Sequence, residues 1–121
     1  MPQNGPSTSV PKFFAFSGTD FSSTVPTTPI VLIPQGIKRN YLLVVNVGLV
    51  SHGSAWLSWF GLLGPNVPGS FCLAPRGNAI GQESVMEFGL NGGVIPQLTL
   101  MAISDGGSSG SAPAYITATV F

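Results

Sequence analysis

The stretch YLLVVNVGLVSHGSAWLSWF, residues 41–60, holds no Asp, Glu, Lys or Arg, and it decides the fold. Two structures suit such a run. Lys38 and Arg39 precede it as they would at a cytoplasmic flank, and the uncharged run extends to Gly64, long enough for one membrane-spanning helix. Against a helix, SHGS at 51–54 sets turn-favouring and polar residues in the middle. Val44, Val45 and Val47 are β-branched and suit a strand. The expectation is therefore two strands, YLLVVNV (41–47) and SAWLSWF (54–60), joined by a hairpin turn at SHG, with no membrane span. In a strand, side chains alternate between two faces. Trp56, Ser58 and Phe60 then point one way, and Ala55, Leu57 and Trp59 the other. A tryptophan on each face calls for two coverings, a core on one side and another chain on the other.

Outward from this stretch every signal is β. PIVLIP (29–34) is a short strand fenced by prolines, as at a sheet edge. SFCLA (70–74), SVMEFGL (84–90), QLTLMAIS (97–104) and AYITATVF (114–121) follow, separated by GPNVPG, PRGN, NGG and DGGSSGSAP. No segment has a 3.6-residue apolar stripe bounded by caps. Seven or eight short strands between Gly/Pro turns predict a single antiparallel β-sandwich with almost no helix. In YLLVVNV and QLTLMAIS both faces are mainly apolar, where an antiparallel strand with one wet face alternates more cleanly. AYITATVF does alternate, with Tyr115, Thr117, Thr119 and Phe121 opposite Ile116, Ala118 and Val120.

Residues 1–29 differ from the sandwich domain expected over 30–121. They hold Pro2, Pro6, Pro11, Pro26 and Pro29, five of the eleven prolines, and are rich in Ser and Thr. Set among them is KFFAF (12–16), with Phe21 beyond. This composition predicts an extended N-terminal arm that docks through Phe13, Phe14, Phe16 and Phe21. These four, with Trp56 and Trp59, are the expected interface residues.

Composition narrows the function. Of 121 residues only 7% are charged, against about 25% in typical domains, and charge is what normally keeps surfaces wet and copies apart. Four basic and four acidic residues form no cationic patch for nucleic acid. MPQNGPSTSVP has neither the basic nor the apolar region of a secretion signal, so synthesis in a cytoplasm is expected. No catalytic set, cofactor or metal site is expected. His52, the single histidine, has no orienting partner or nucleophile nearby in sequence. Cys72, the single cysteine, reads as a small buried apolar residue. Glu83 and Glu87, on one strand face, stand about 13 Å apart, too far for paired-carboxylate chemistry. Asp105 in SDGGSSG lacks the further acidic ligands of a calcium loop. The alternative of another class is a carbohydrate-binding β-sandwich module, whose sugar-stacking platform would need Trp56 and Trp59 on one face; a spacing of three separates them unless a bulge intervenes.

RNYLLVVNVG (39–48), WLSWFG (56–61), LAPRGN (73–78) and the closing AYITATVF resemble small virion proteins of tailed bacteriophages, over about residues 37–121. Arg76 stands where that pattern has a small residue. The resemblance implies a jelly-roll-like β-sandwich with a structural role in the virion. It would be a capsid decoration or cement protein bridging capsomers, or else a tail, neck or fibre component. The implied partners are the major capsid protein and further copies of the chain, with a trimer the implied state.

Overall fold

A computed structural model describes residues 18–59, 61, 64, 67–76, 83–89 and 93–121. The strands are β1 (Thr19–Asp20), β2 (Ser23–Val25), β3 (Ile30–Ile33), β4 (Leu42–Asn46), β5 (Ala55–Ser58), β6 (Phe71–Leu73), β7 (Val85–Phe88), β8 (Leu100–Ser104) and β9 (Ala114–Val120). The helical content of the described residues is one 3-10 turn, Gly107–Ser109. All seven strands expected from the sequence form, each inside its expected stretch.

The strands build two antiparallel sheets. One runs β1-β9-β4-β7, with β2 also on β9, and the other β3-β8-β5-β6. The pairing is nested. β1 and β2 pair with β9, β3 with β8, β4 with β7, and β5 with β6. β1 and β2 keep one register along β9, from Thr19 opposite Val120 to Val25 opposite Ala114, so both sheets are four strands wide. The short break between them is held by Asp20, whose carboxylate accepts from the Ser22 N–H at 2.8 Å and from its hydroxyl.

Alternation sets the core. Leu42 and Val44 of β4, Ala55 and Leu57 of β5, Leu100 and Ala102 of β8, and Ile116, Ala118 and Val120 of β9 all point inward and are buried. The paired faces of AYITATVF come out as expected. Trp59 turns inward, its ring 5.0 Å from Phe88 and 5.7 Å from Phe71.

Two expectations are corrected. SHG is not a hairpin turn, because β4 pairs with β7 and β9 while β5 pairs with β6 and β8. The segment carries the chain from one sheet to the other. Gly53 lets it pass: a Cβ there would sit 1.9 Å from Ser104 Oγ, and the Gly53 N–H donates to Pro113 O at 3.2 Å. The second correction concerns the expected arm over 1–29. Its residues 19–25 are strands of the chain's own sheet, and Phe21 packs on the chain's own core while its N–H donates to Ala118 O at 2.7 Å. Phe13, Phe14 and Phe16 lie outside the described residues.

Candidate interaction surface

The outer face of the four-stranded sheet follows from the strand registers. Val31 of β3 stands opposite Met101 of β8, which stands opposite Ser58 of β5. In the next row Ile103 of β8 stands opposite Trp56, which stands opposite Cys72 of β6. Val31 is 53% exposed and Met101, Ile103, Trp56 and Cys72 are partly buried, while Ser58 in the same row is fully buried. No charged side chain interrupts these rows. The outer face of the other sheet is mixed. Leu43, Val45 and Val85 are joined there by Thr117, Thr119 and Glu87.

At the β6 edge the apolar face deepens into a cleft of about 390 Å³, walled by Trp56, Phe71 and Met86. Its polar members are Ser54, Cys72 and Glu83. Burial pushes the Cys72 thiol above its ordinary value, the Asp105 charge adds to this, and a side-chain hydrogen bond with Ser54 works the other way. The thiol is therefore protonated near neutral pH and a poor nucleophile.

The other candidate chemical groups have structural duties. His52 Nδ1 accepts from the Leu49 N–H at 3.0 Å, closing the turn before β5, and its ring meets Tyr115 edge-on at 4.8 Å. Asp105 accepts from the Ser54 and Gly107 N–H groups, both at 2.9 Å, and so ties the 105–112 loop to the start of β5. Glu83 and Glu87 do not work together. Glu83 faces the cleft, whereas Glu87 accepts from the Tyr41 hydroxyl on the outer face of the other sheet. That bond, with burial and the carboxylate charge behind it, pushes the Tyr41 pKa up to about 12. Among the described residues no three His, Cys, Asp or Glu side chains gather as metal ligands would, and no helix is long and apolar enough to cross a membrane.

Of the six expected interface residues, the structure places three. Trp56 is on the outer sheet face, while Trp59 and Phe21 pack against the core. Met101, Ile103 and the cleft carry no signal of their own in the sequence, and Cys72, expected as a small buried apolar residue, is only partly buried and lines the cleft. Two polar side chains were also passed over. Arg39 is 2% exposed, with Nε on Ile37 O and Nη2 on Pro34 O, both at 3.0 Å. Gln97 brackets it by bonding both its backbone N–H and its carbonyl. Asn46 is fully buried, donates to Gly53 O and Leu73 O, and accepts from the Gly48 N–H. Their signal was a lone polar residue within an apolar strand and a charge at its start. In RNYLLVVNVG, then, the Arg and the Asn both serve architecture. No known protein family, curated protein or solved structure matches the chain.

Proposed function

We propose that the chain is a structural subunit that works by assembly, a virion protein of the tailed-phage kind that decorates and cements a capsid. The observation that carries this reading is the outer face of the β3-β8-β5-β6 sheet. Val31, Met101, Ile103, Trp56 and Cys72 present an apolar, charge-free surface across all four strands. Contiguous apolar surface of this kind marks contact sites. The low charge of the whole chain supports the same conclusion, since little holds copies or neighbours apart.

The nested pairing of first strand with last supports a jelly roll, because a long hairpin rolled across two sheets produces that order. Jelly rolls occur in capsid and lectin domains alike. The lectin-like use is disfavoured because Trp59 packs inside with Phe71 and Phe88, which leaves Trp56 alone on the outer face. A cement protein acts by adding contact area that a shell must lose before it swells or bursts. At about 25 cal/mol per Å² of apolar area, contacts repeated over a shell accumulate, less the cost of ordering each copy.

The test is the composition of purified particles of the phage that encodes the chain. A fixed copy number in proportion to the major capsid protein is expected, and particles lacking the chain should open at lower temperature. Its absence from purified particles would refute the virion role.

A further inference from the structure

We propose that the cleft beside Trp56 receives the Lys12–Phe16 segment, KFFAF, of a second copy of the chain, with phenylalanine rings against Trp56, Phe71 and Met86 and Lys12 beside Glu83. This rests on the reading of the chain as a self-assembling subunit and adds where one copy holds the next.

Three observations lead there. The first is chemical fit. Among the described residues the cleft, about 390 Å³, is walled by aromatic and thioether groups and has one charged member, Glu83. KFFAF offers three phenylalanines in four positions and one charge of the opposite sign at its end. Sites of roughly 300–1,000 Å³ accept compact apolar ligands, and phenylalanine rings are of that kind.

The second is area. From strand spacing and rise, the outer face of the four-stranded sheet covers about 300 Å². A stable interface takes about 800 Å² from each partner, so this face alone is too small to hold a copy. A buried phenylalanine contributes about 150–250 Å², so Phe14 and Phe16, on one side of an extended segment, supply about 300–500 Å², most of the difference.

The third is reach, which decides between the chain's own cleft and a neighbour's. The described chain begins at Gly18, and Thr19 pairs with Val120 at the β1 edge of its sheet. The cleft sits at the opposite edge, between β6 and the residues leading into β7, where the Ala74 N–H donates to Glu83 O. It is also nearer the other end of the strands, where Gly53 meets Pro113. An extended chain advances at most about 3.6 Å per residue, so Phe14 stands no more than about 14 Å from Gly18. Crossing three strand spacings of about 4.8 Å and a sheet separation of about 10 Å, along the path around the edge, takes well over 20 Å. Phe14 and Phe16 therefore fall short of the chain's own cleft along that path, so the segment as a whole does not seat there, whereas a neighbour's cleft sets no such limit.

Cys72 lines the cleft and is the only cysteine, which supplies the test. Full-length Ala15→Cys and Phe14→Cys, which address opposite sides of an extended segment, are oxidised with diamide, which takes up the two protons and two electrons released as the disulfide forms. Covalent multimers linked through Cys72 are expected from at least one variant, and none once Cys72→Ser is added. Lys12→Glu should lower the yield several-fold, and Glu83→Lys in the same chain should restore it. A linkage found only within single chains would overturn the exchange between copies. Multimers by sedimentation with no linkage to Cys72 in either variant would overturn this docking site and leave the assembly reading standing. Monomers with no linkage would overturn both.

Discussion

Asn46 occupies a core-facing position of β4 that a leucine would fill by volume alone. Its amide binds the carbonyls of Gly53 and Leu73, at 3.2 and 2.9 Å, and its oxygen takes the Gly48 N–H at 3.0 Å. It therefore ties the end of β4 to the start of β5 and the end of β6, across the two sheets. Asn46→Leu removes the side-chain partner of three buried backbone groups, of which Leu73 O also lies in the β5–β6 ladder, and each group left unpaired costs about 1–3 kcal/mol. A loss of at least about 2 kcal/mol is expected on that basis, read as a lower urea midpoint at unchanged slope. Tyr41 gives a second test at this scale. Its pKa, pushed up to about 12 by the Glu87 carboxylate, exceeds the value of about 10 for a free tyrosine. The folded state thus holds the phenol proton more tightly than the unfolded chain. The stability this contributes is present below about pH 10 and is lost as pH rises toward about 12. Ultraviolet difference titration should show a tyrosine midpoint near that upper value, falling back toward about 10 in Glu87→Gln.

The two tryptophans of AWLSWF, Trp56 in β5 and Trp59 just beyond its end, divide the labour. Trp59 packs with Phe71 and Phe88 inside the sandwich, whereas Trp56 stands between Ile103 and Cys72 on the outer face. Trp59→Ala should destabilise the isolated chain by about 3 kcal/mol, the low end for losing a large aromatic side chain from a core. Trp56→Ser should change that stability by no more than about 1 kcal/mol and yet abolish self-association. Chemical denaturation and sedimentation on the same two variants check both halves. This division was legible in AWLSWF, because a strand's period of two separates positions three apart whatever the fold. In AYITATVF the alternation of Thr with aliphatic residues likewise showed which face is wet. Other elements were not legible. Both faces of YLLVVNV are apolar, so nothing local marked Leu42, Val44 and Asn46 as the inward set. SHG has the composition of a hairpin turn and serves as a crossing, because the choice is made by β7 and β9 pairing with β4 from far along the chain. Thr19–Val25 hid among prolines and serines because backbone bonds to β9, rather than side-chain pattern, make it a strand. The cleft joins Trp56, Cys72 and Glu83, which no local motif connects.

At the scale of the whole molecule, the surface that remains after folding is short of charge and long on apolar area. Among the described residues seven large hydrophobic ones are well exposed, including Val31, Leu49 at 68% and Val94 at 94%. A subunit that binds through such surface should associate by burying it, and that driving force has a known response to conditions. It weakens on cooling and strengthens when excluded salts such as sulfate raise the cost of wet apolar surface. Association through charged groups behaves differently, since salt screens it. Three of the chain's eight charges are also committed elsewhere: Arg39 is buried on carbonyls, Asp105 holds a loop, and Glu87 holds Tyr41. Sedimentation velocity should therefore show the assembled fraction rising with added sodium sulfate and falling as the sample is cooled. Sodium chloride at moderate concentration should have a small effect, confined to the Lys12–Glu83 contact if that contact forms. An assembled fraction that collapses in moderate sodium chloride would mean that charge holds the copies together, and the uncharged sheet face would then not be the surface that joins them.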